Sequence, residues 1–449
     1  MDDRSRFVPR VHTPVPKQDL RLPFRLAQRG LRSNFFNSFW IYGAIIVLIV
    51  GMATGQPALT ILGLLTLITA TGSWLWGRAS LDHLSYQRTL SAERIFQGET
   101  VVMEATIVNH KWLPLPWLSV EDQISDRVLV RERETLPSNR PGMTLLRLVT
   151  SVRWYERVSW TFHLECPERG AYNVGPVSLR SGDLFGFFSR QSSIEGRDQI
   201  IVYPRIVPLE EIGLPPLHPF GDQRRDRHLI TDPSRTIGIR DYRPEDSFRY
   251  IHWKATARQG QIQVKVFEPT VTVQIGIFLS LDTYERYWEG VDYTRAESAI
   301  LAAASLAATG LKERCQVGVY ANGVMTNSDQ TLRIHPGRGP DQLGTILQGL
   351  AKLTPLSSTN FPRLLSVEAR RFPWGSTIVV ISALMTEPLA LTLAELLARG
   401  HRVVLLRVGD YEPPPLRDLV VHTMPDNLIG RRDDDRSHYV VSIDASGDD

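Results

Sequence analysis

The chain has 449 residues, which is enough for two to four domains of ordinary size. Hydrophobic residues make up 43% and charged residues 22%, a composition that excludes a largely disordered protein. Lys and Arg number 51 against 48 Asp and Glu, so the net charge of +3 excludes a uniformly polybasic nucleic-acid binder. The two cysteines, Cys166 and Cys315, lie far apart and outside any CxxC motif, which excludes a disulfide framework and predicts reduced, buried thiols.

A long uncharged segment near the N-terminus predicts a membrane anchor. No charged residue occurs from Ser33 to Gly77, whereas one bilayer span needs about 20 apolar residues. A Thr-Gly-Gln-Pro break at residues 54–57 divides the segment. We therefore expect a transmembrane helical hairpin with spans at about 36–53 and 58–76.

The flanks of this segment predict its orientation. The N-terminal arm, residues 1–32, carries eight Lys or Arg against three Asp, and Arg78 follows the second span, while the break is uncharged. The positive-inside rule then places both termini in the cytoplasm. A cleaved signal peptide would lie nearer the start and would have one apolar core. We expect a two-pass protein of the cytoplasmic (inner) membrane with a basic cytoplasmic arm.

Residues 83–205 read as an antiparallel β-sandwich of immunoglobulin-like kind. Strand patterns occur at 101–108, 158–166 and 172–180, and Pro, Gly and Asn punctuate the intervals between them. No catalytic constellation occurs in this region. A Pro-rich and charged stretch, residues 206–237, follows and is predicted to be a linker.

The densest polar stretch, residues 238–258, permits four interpretations. Asp241, Glu245 or Asp246 could orient His252 for acid–base catalysis. The arginines could instead hold phosphate in an anion- or nucleic-acid-binding module, although the interleaved acids oppose this. The stretch could dock a partner or a neighbouring domain, or it could be a self-satisfied ion-pair network with buried Tyr242 and Trp253.

The same stretch resembles the signature of the bacterial domain-of-unknown-function 58 family, close to R-E-Y-x-P-G-D-x-x-R-x-I-H-W-x-x-x-A-R. The matching positions are Arg240, Tyr242, Pro244, Asp246, Arg249, Ile251, His252, Trp253, Ala257 and Arg258. Two departures are Asp241 for Glu and Glu245 for Gly. A second family-like stretch runs from Arg169 to Pro176 and is followed by Asp183-Leu184-Phe185-Gly186, where the family usually has Pro in place of Leu184. We define residues 238–270 as the signature segment.

Residues 271–425 alternate strand and helix patterns, which predicts a doubly wound parallel sheet. Strands are expected at 274–281, 315–320, 377–381 and 402–406, and helices at 293–311, 340–353, 361–371 and 387–399. The family resemblance implies a von Willebrand factor type A-like domain here. Residues 426–449 form a polar tail.

The metal site that the von Willebrand factor type A fold can carry is degenerate in this sequence. Asp282 survives after the first strand, but Tyr284 and Arg286 replace the two hydroxyl ligands. A hard cation needs several oxygen ligands, and Arg286 could fill the cation's place with its own charge. We therefore expect no metal and no cofactor, with Asp282 as a remnant.

These observations favour a membrane-anchored, non-enzymatic scaffold or adaptor. The resemblance implies as partners a MoxR-type AAA+ ATPase and a transglutaminase-like membrane protein, with no nucleic acid, in assembly or maturation of a membrane or cell-envelope complex. The alternatives are an enzyme that uses a His252/Asp246 acid–base pair, and an anion- or nucleic-acid-binding module that uses the Arg cluster. The residues expected to bind a partner or fix a domain junction are Arg240, Tyr242, Asp246, Arg249, His252, Trp253 and Arg258.

Overall fold

A computed structural model shows a mixed α/β protein with several sheets. It describes residues 11–14, 35–215, 231–243, 246–269, 273–326, 328 and 330–425. The chain forms two compact units, residues 1–204 and 205–449. The predicted tail, the arm apart from 11–14, and residues 216–230 of the predicted linker lie outside the described residues.

Two helices open the described chain, α1 (Phe35–Thr54) and α2 (Pro57–Ala79). Gly55 has a positive φ of 63° and Pro57 begins α2, so this pair makes the predicted break. The helices pack closely, since a Cβ on Gly63 would lie 2.7 Å from the Leu48 backbone. Within the described residues, only α2 is long and apolar enough to cross a membrane; the comparable stretch of α1, Tyr42–Thr54, is shorter.

The first unit continues as two sheets that share one core. Their strands are β1 (Val11–Pro14), β2 (Leu84–Leu90), β3 (Arg94–Phe96), β4 (Thr100–Asn109), β5 (Leu115–Ser125), β6 (Leu129–Val130), β7 (Leu136–Pro137), β8 (Met143–Val152), β9 (Glu156–Glu165), β10 (Gly170–Gly182), β11 (Ser189–Ile194) and β12 (Asp198–Tyr203). One sheet has the order β1-β9-β4-β2 and the other β3-β12-β10-β5-β8-β7, with β6 beside β9 and β11 beside β10. Alternate residues of each sheet point inward, such as Met103 and Phe162 from one and Val120 and Leu179 from the other.

A buried ion pair joins the two sheets of this sandwich. Arg88 of β2 donates from Nη1 to both carboxylate oxygens of Asp122 in β5, at 2.7 and 2.8 Å. It also donates to Asp198 and to the Val174 carbonyl. Burial raises the pKa of Tyr86 well above its ordinary value, so its hydroxyl stays protonated and donates to Asp122 at 2.9 Å. The network thus satisfies the charges that the sandwich encloses.

The end of α2 is attached directly to the sandwich. The Lys111 ammonium donates to the carbonyls of Ser80 and Asp82. Arg190 donates to the Arg78 carbonyl and to the Asp82 carboxylate, each at 2.7 Å. Burial lowers the pKa of Lys111 to about 8, which leaves it charged at neutral pH. These cations satisfy carbonyls that a helix end otherwise leaves unpaired.

The second unit contains a seven-stranded sheet with helices. Its strands are β15 (Gln274–Leu279), β16 (Gln316–Met325), β17 (Thr331–Gly337), β18 (Leu353–Ser357), β19 (Thr377–Ser382), β20 (Arg402–Val408) and β21 (Val420–Met424), and its helices are α4 (Tyr293–Lys312), α5 (Gln342–Lys352), α6 (Phe361–Ala369) and α7 (Glu387–Ala398). The order is β17-β16-β15-β19-β20-β21, parallel except for β17, and β18 pairs with β16. The fully buried β19 and the Ala-rich buried face of α4 explain the layered packing.

Part of the predicted linker belongs to this second unit. Val207, Leu209, Ile212 and Leu214 are buried, and the Val207 amide donates to the Ser305 hydroxyl of α4 at 3.0 Å. Residues 206–214 are therefore packed within the second unit and do not form a free linker. The apolar residues in this Pro-rich stretch were the available signal.

The remaining sheet is a hairpin in the signature segment. It consists of β13 (Thr231–Asp241) and β14 (Gln263–Pro269), which pair antiparallel with Ile239 opposite Lys265. Between them lie a 3-10 turn, Phe248–Tyr250, and the short helix α3 (Trp253–Gln259).

Candidate functional site

The signature segment is built on the β13–β14 hairpin. Ile251 is buried and forms a bridge to Val264, which ties the connection back to the strand. Gly260 ends α3 with a φ of +68°, a left-handed conformation that glycine adopts without strain. The hairpin and the buried Ile251 together fix the conformation of the described part of the polar connection between β13 and β14, residues 242–262.

Arg240 and Asp246 form an ion pair within the signature segment. The two guanidinium nitrogens of Arg240 lie 2.6 and 2.5 Å from the two Asp246 oxygens, a bidentate pair. Asp246 also accepts the Arg243 backbone amide at 2.8 Å. The hydrogen bond from Arg240 lowers the pKa of Asp246 below its ordinary value. Two of the seven predicted site residues thus fix the loop that leaves β13.

His252 has a structural role at the start of α3. Its Nδ1 accepts the Ala255 backbone amide at 3.1 Å, so the side chain is the N-cap of the helix. Within the described part of the segment, Asp246 is bonded to Arg240 and no hydrogen bond joins it to His252. The acid–base pair considered from the sequence is therefore not assembled here.

The aromatic residues of the segment form an exposed face. Trp253 is 70% exposed and Phe248 is 71% exposed. Tyr242 is half-buried and stacks on Phe248, with ring centroids 5.7 Å apart. Arg249 and Arg258 are also exposed. The hypothesis of a network with a buried Trp253 is wrong, because the short α3 presents this side chain to solvent.

Phe248 is the member of this face that the sequence analysis missed. Its position, between Tyr242 and Trp253 in a polar stretch, was the available signal. An aromatic residue in such a setting is as compatible with burial as with exposure, and only the packing of the connection decides between them.

Asp282 lies at the carboxyl edge of the parallel sheet, as predicted. Its Oδ2 accepts the Asn322 side-chain amide at 2.9 Å, and the Ser280 hydroxyl lies 3.4 Å from the same oxygen. Arg286 does not fill a cation's place beside Asp282, since its guanidinium lies over the Trp288 ring at 5.5 Å. The hydrogen-bond partner of the Asp282 carboxylate is instead the buried Asn322, a residue that the sequence analysis did not single out.

Comparison with known proteins supports the predicted family resemblance. Residues 238–422 match the family described as Protein of unknown function DUF58. The uncharacterized protein YeaD of Bacillus subtilis is 24% identical over 219 residues, which are 46% of this chain and 50% of that protein. The matched part thus spans half of the relative. The predicted resemblance is confirmed over residues 238–422, a range that includes the whole exposed aromatic face.

Solved structures resemble parts of this chain only distantly. The SpRpn10 VWA domain is 12% identical and covers 34% of this chain and 89% of its own, with a TM-score of 0.25. The CARDB domain of the PF1109 protein from Pyrococcus furiosus is also 12% identical, covering 25% of this chain and 85% of its own, with a TM-score of 0.16.

Proposed function

We propose that this chain, whose residues 238–422 match the DUF58 family, is a membrane-anchored, non-enzymatic scaffold whose signature segment docks a partner protein. One observation carries the proposal, namely the exposed aromatic face of Trp253 and Phe248 on a loop fixed by the Arg240–Asp246 pair. The parallel-sheet domain has the strand order of a von Willebrand factor type A-like fold and would carry this segment.

The chemistry of this face suits protein recognition. Trp and Arg are the residue types that most often dominate binding energy at interfaces, because they combine apolar area with directed hydrogen bonds. Trp253 and Phe248 would enter apolar pockets, and Arg249 beside them would pair with a carboxylate of the partner. A preformed loop loses little conformational freedom on binding, which favours affinity.

The partner proposed is a MoxR-type AAA+ ATPase, with a transglutaminase-like membrane protein as a further member of the assembly. Helix α2 would anchor the chain in the cytoplasmic membrane, with α1 as a second pass and both termini in the cytoplasm. The engagement of Asp246 by Arg240 favours docking over acid–base catalysis, and the proposal needs no cofactor and no nucleic acid.

The test is a detergent-solubilised pull-down from native membranes with the full chain as bait. We expect the wild type to recover an AAA+ ATPase, identified by mass spectrometry, and the double variant Arg249→Ala/Trp253→Ala to lose it. Thermal melting of each bait verifies that the variants are folded.

A matched control is available in the same unit. Arg286 and Trp288 are another exposed Arg and Trp pair, so Arg286→Ala/Trp288→Ala removes the same side chains elsewhere. The control should keep the ATPase. Loss in the control with retention in the first variant would move the contact to the edge near Asp282, and failure of the folded wild type to recover any ATPase would overturn the proposed partner.

A further inference from the structure

Three loops form one end of the β-sandwich, the end that α2 enters. Strand β2 follows α2, and its first residue Leu84 pairs with Asn109, the last residue of β4. The next strand begins at Leu115, opposite Val152 at the end of β8. Ser181, near the end of β10, pairs with Leu118. The loops 110–114, 153–155 and 183–188 therefore share this end, which we call the helix-proximal end.

The helix-proximal end is rich in exposed apolar and aromatic side chains. Five of them are each more than half exposed, namely Trp112, Trp154, Tyr155, Leu184 and Phe185. They come from all three loops, so the apolar surface extends across the end of the sandwich. Such a concentration on one end is unusual for a surface in contact with water and marks an interaction site.

The loop 183–188 is held in a fixed shape that presents its apolar residues. The buried carboxylate of Asp183 accepts the backbone amides of Phe188 at 2.7 Å and Phe185 at 3.1 Å. Gly186 supplies a φ of +77° at the turn. The Asp-Leu-Phe-Gly motif noted in the sequence therefore encodes a rigid loop with two exposed apolar residues, Leu184 and Phe185, at its tip.

This loop lies along the apolar part of α2. The Phe188 side chain packs on Gly77 so closely that a Cβ there would lie 2.8 Å from the Phe188 Cβ. A groove of about 210 Å³ between loop and helix is lined by Leu65, Thr66, Thr69, Ala70, Phe187 and Phe188. Ala70 lies roughly 10 Å up the helix from Gly77 at about 1.5 Å per residue. The loop therefore lies alongside the last turns of α2, next to helix residues that a bilayer would cover.

The charges around this end suit an anionic lipid surface. Arg78, Lys111, Arg153 and Arg190 lie on α2 or on the loops and their flanks, whereas Asp82 and Glu156 are the nearby acids that are not fully buried. Asp82 is already paired with Arg190. Cations next to exposed Trp and Tyr are the composition of membrane-interface segments, because indole and phenol rings favour the headgroup layer.

We propose that the helix-proximal end of the sandwich inserts into the bilayer interface, with Leu184, Phe185 and Phe187 among the acyl chains and Trp112, Trp154 and Tyr155 at the level of the headgroups. The inference rests on the membrane anchoring through α2 proposed above. The sandwich would then stand directly on the membrane, its cationic loops against anionic headgroups.

The experiment places nitroxide spin labels on full-length protein in vesicles of phosphatidylethanolamine and phosphatidylglycerol. Labels at Phe185→Cys and, as a second position, Leu184→Cys should collide with oxygen several-fold more than with a water-soluble nickel complex, as lipid-exposed sites do. Asn139→Cys, exposed at the opposite end of the same sandwich, is the matched control and should show the reverse. The two native thiols are buried, and burial raises the pKa of Cys166 to about 11, so the unmodified chain supplies the labelling background.

A label at Ile68→Cys, exposed in the middle of α2, separates the two proposals. If the label at position 68 reports lipid and the labels at positions 184 and 185 report water, the insertion is overturned while the anchor stands. If the label at position 68 itself reports water, the membrane anchor is overturned. Labels at 184 and 185 that meet neither reagent would indicate a protein contact and would also overturn the insertion.

Discussion

Two Arg–Asp pairs with similar geometry have very different surroundings. Arg88 and Asp122 join the sheets of the sandwich, and their side chains are 4% and 3% exposed. Arg240 and Asp246 fix the signature segment, and theirs are 40% and 16% exposed. The first pair is enclosed by protein and the second is reached by water. Hydrogen-bond length therefore says little about the role of such a pair, whereas burial separates a structural pair from one that shapes a surface.

The physical reason is the solvation of the charges. An ion enclosed in a core cannot recover its hydration when its partner is removed, so breaking a buried pair is costly. An exposed ion is rehydrated when its partner is removed, so the loss of stability is small. The main change is then in the conformation of the loop that the pair held. We therefore expect mutations of the two pairs to act on different measurements.

The largest effect on stability should come from the buried pair. Arg88→Met leaves Asp122 enclosed without its cation and should lower the free energy of unfolding of the sandwich by about 3–5 kcal/mol. Urea unfolding in detergent measures this. The matched control is Arg147→Met, which removes an exposed partner of Glu121 on the same pair of strands, β5 and β8, and should cost under about 1 kcal/mol. Equal losses in the two variants would contradict the comparison.

The exposed pair should affect binding more than stability. Arg240→Met releases the loop after β13, so we expect an unchanged melting temperature and capture of the proposed partner ATPase weaker by at least about tenfold. Arg240→Lys keeps the charge but cannot form the bidentate contact, and it should bind at an intermediate level. A variant that melts earlier yet binds normally would assign this pair a structural role like that of Arg88.

The pH dependence of binding gives the smallest expected effect. The pKa of Asp246 is lowered in the folded segment, chiefly by the hydrogen bond from Arg240. The ion pair of Asp246 with Arg240 is then fully formed above the ordinary aspartate pKa. Its stabilisation of the loop is lost as the pH falls through the lowered pKa of Asp246. Capture of the partner should stay constant from pH 7 to about pH 4.5 and decline only below the ordinary range of aspartate. A decline between pH 7 and 6 would show that another group controls the contact.

Regular elements with a strong hydrophobic pattern were predictable from the sequence. The helix expected at 293–311 is α4, and the apolar runs at 274–281 and 377–381 are β15 and β19. Strand β17 escaped prediction, because His335 and Pro336 interrupt its apolar pattern. It lies at the sheet edge, where proline is tolerated and only one neighbour must be satisfied.

The candidate site was predictable in its residues but not in its exposure. The spacing of the motif identified Arg240, Asp246 and Trp253, yet the sequence permitted Asp246 to serve His252 as readily as Arg240. Which partner Asp246 takes depends on how closely the loop approaches Arg240 in β13, and this is set by tertiary packing. The position of Arg286 over Trp288 likewise could not be read from spacing, since an exposed turn decides it.

The attachment of α2 to the sandwich has a mechanical consequence. Four residues separate α2 from β2, and two of them, Ser80 and Leu81, are buried. Lys111 donates to the Asp82 carbonyl within this stretch, and Arg190 donates to the Arg78 carbonyl in the last turn of α2. A spanning helix changes its tilt when the thickness of the bilayer changes. If α2 spans the bilayer as proposed, the connection is too short and too firmly held to absorb such a tilt. The sandwich would then turn with the helix, so its orientation would follow the thickness of the membrane.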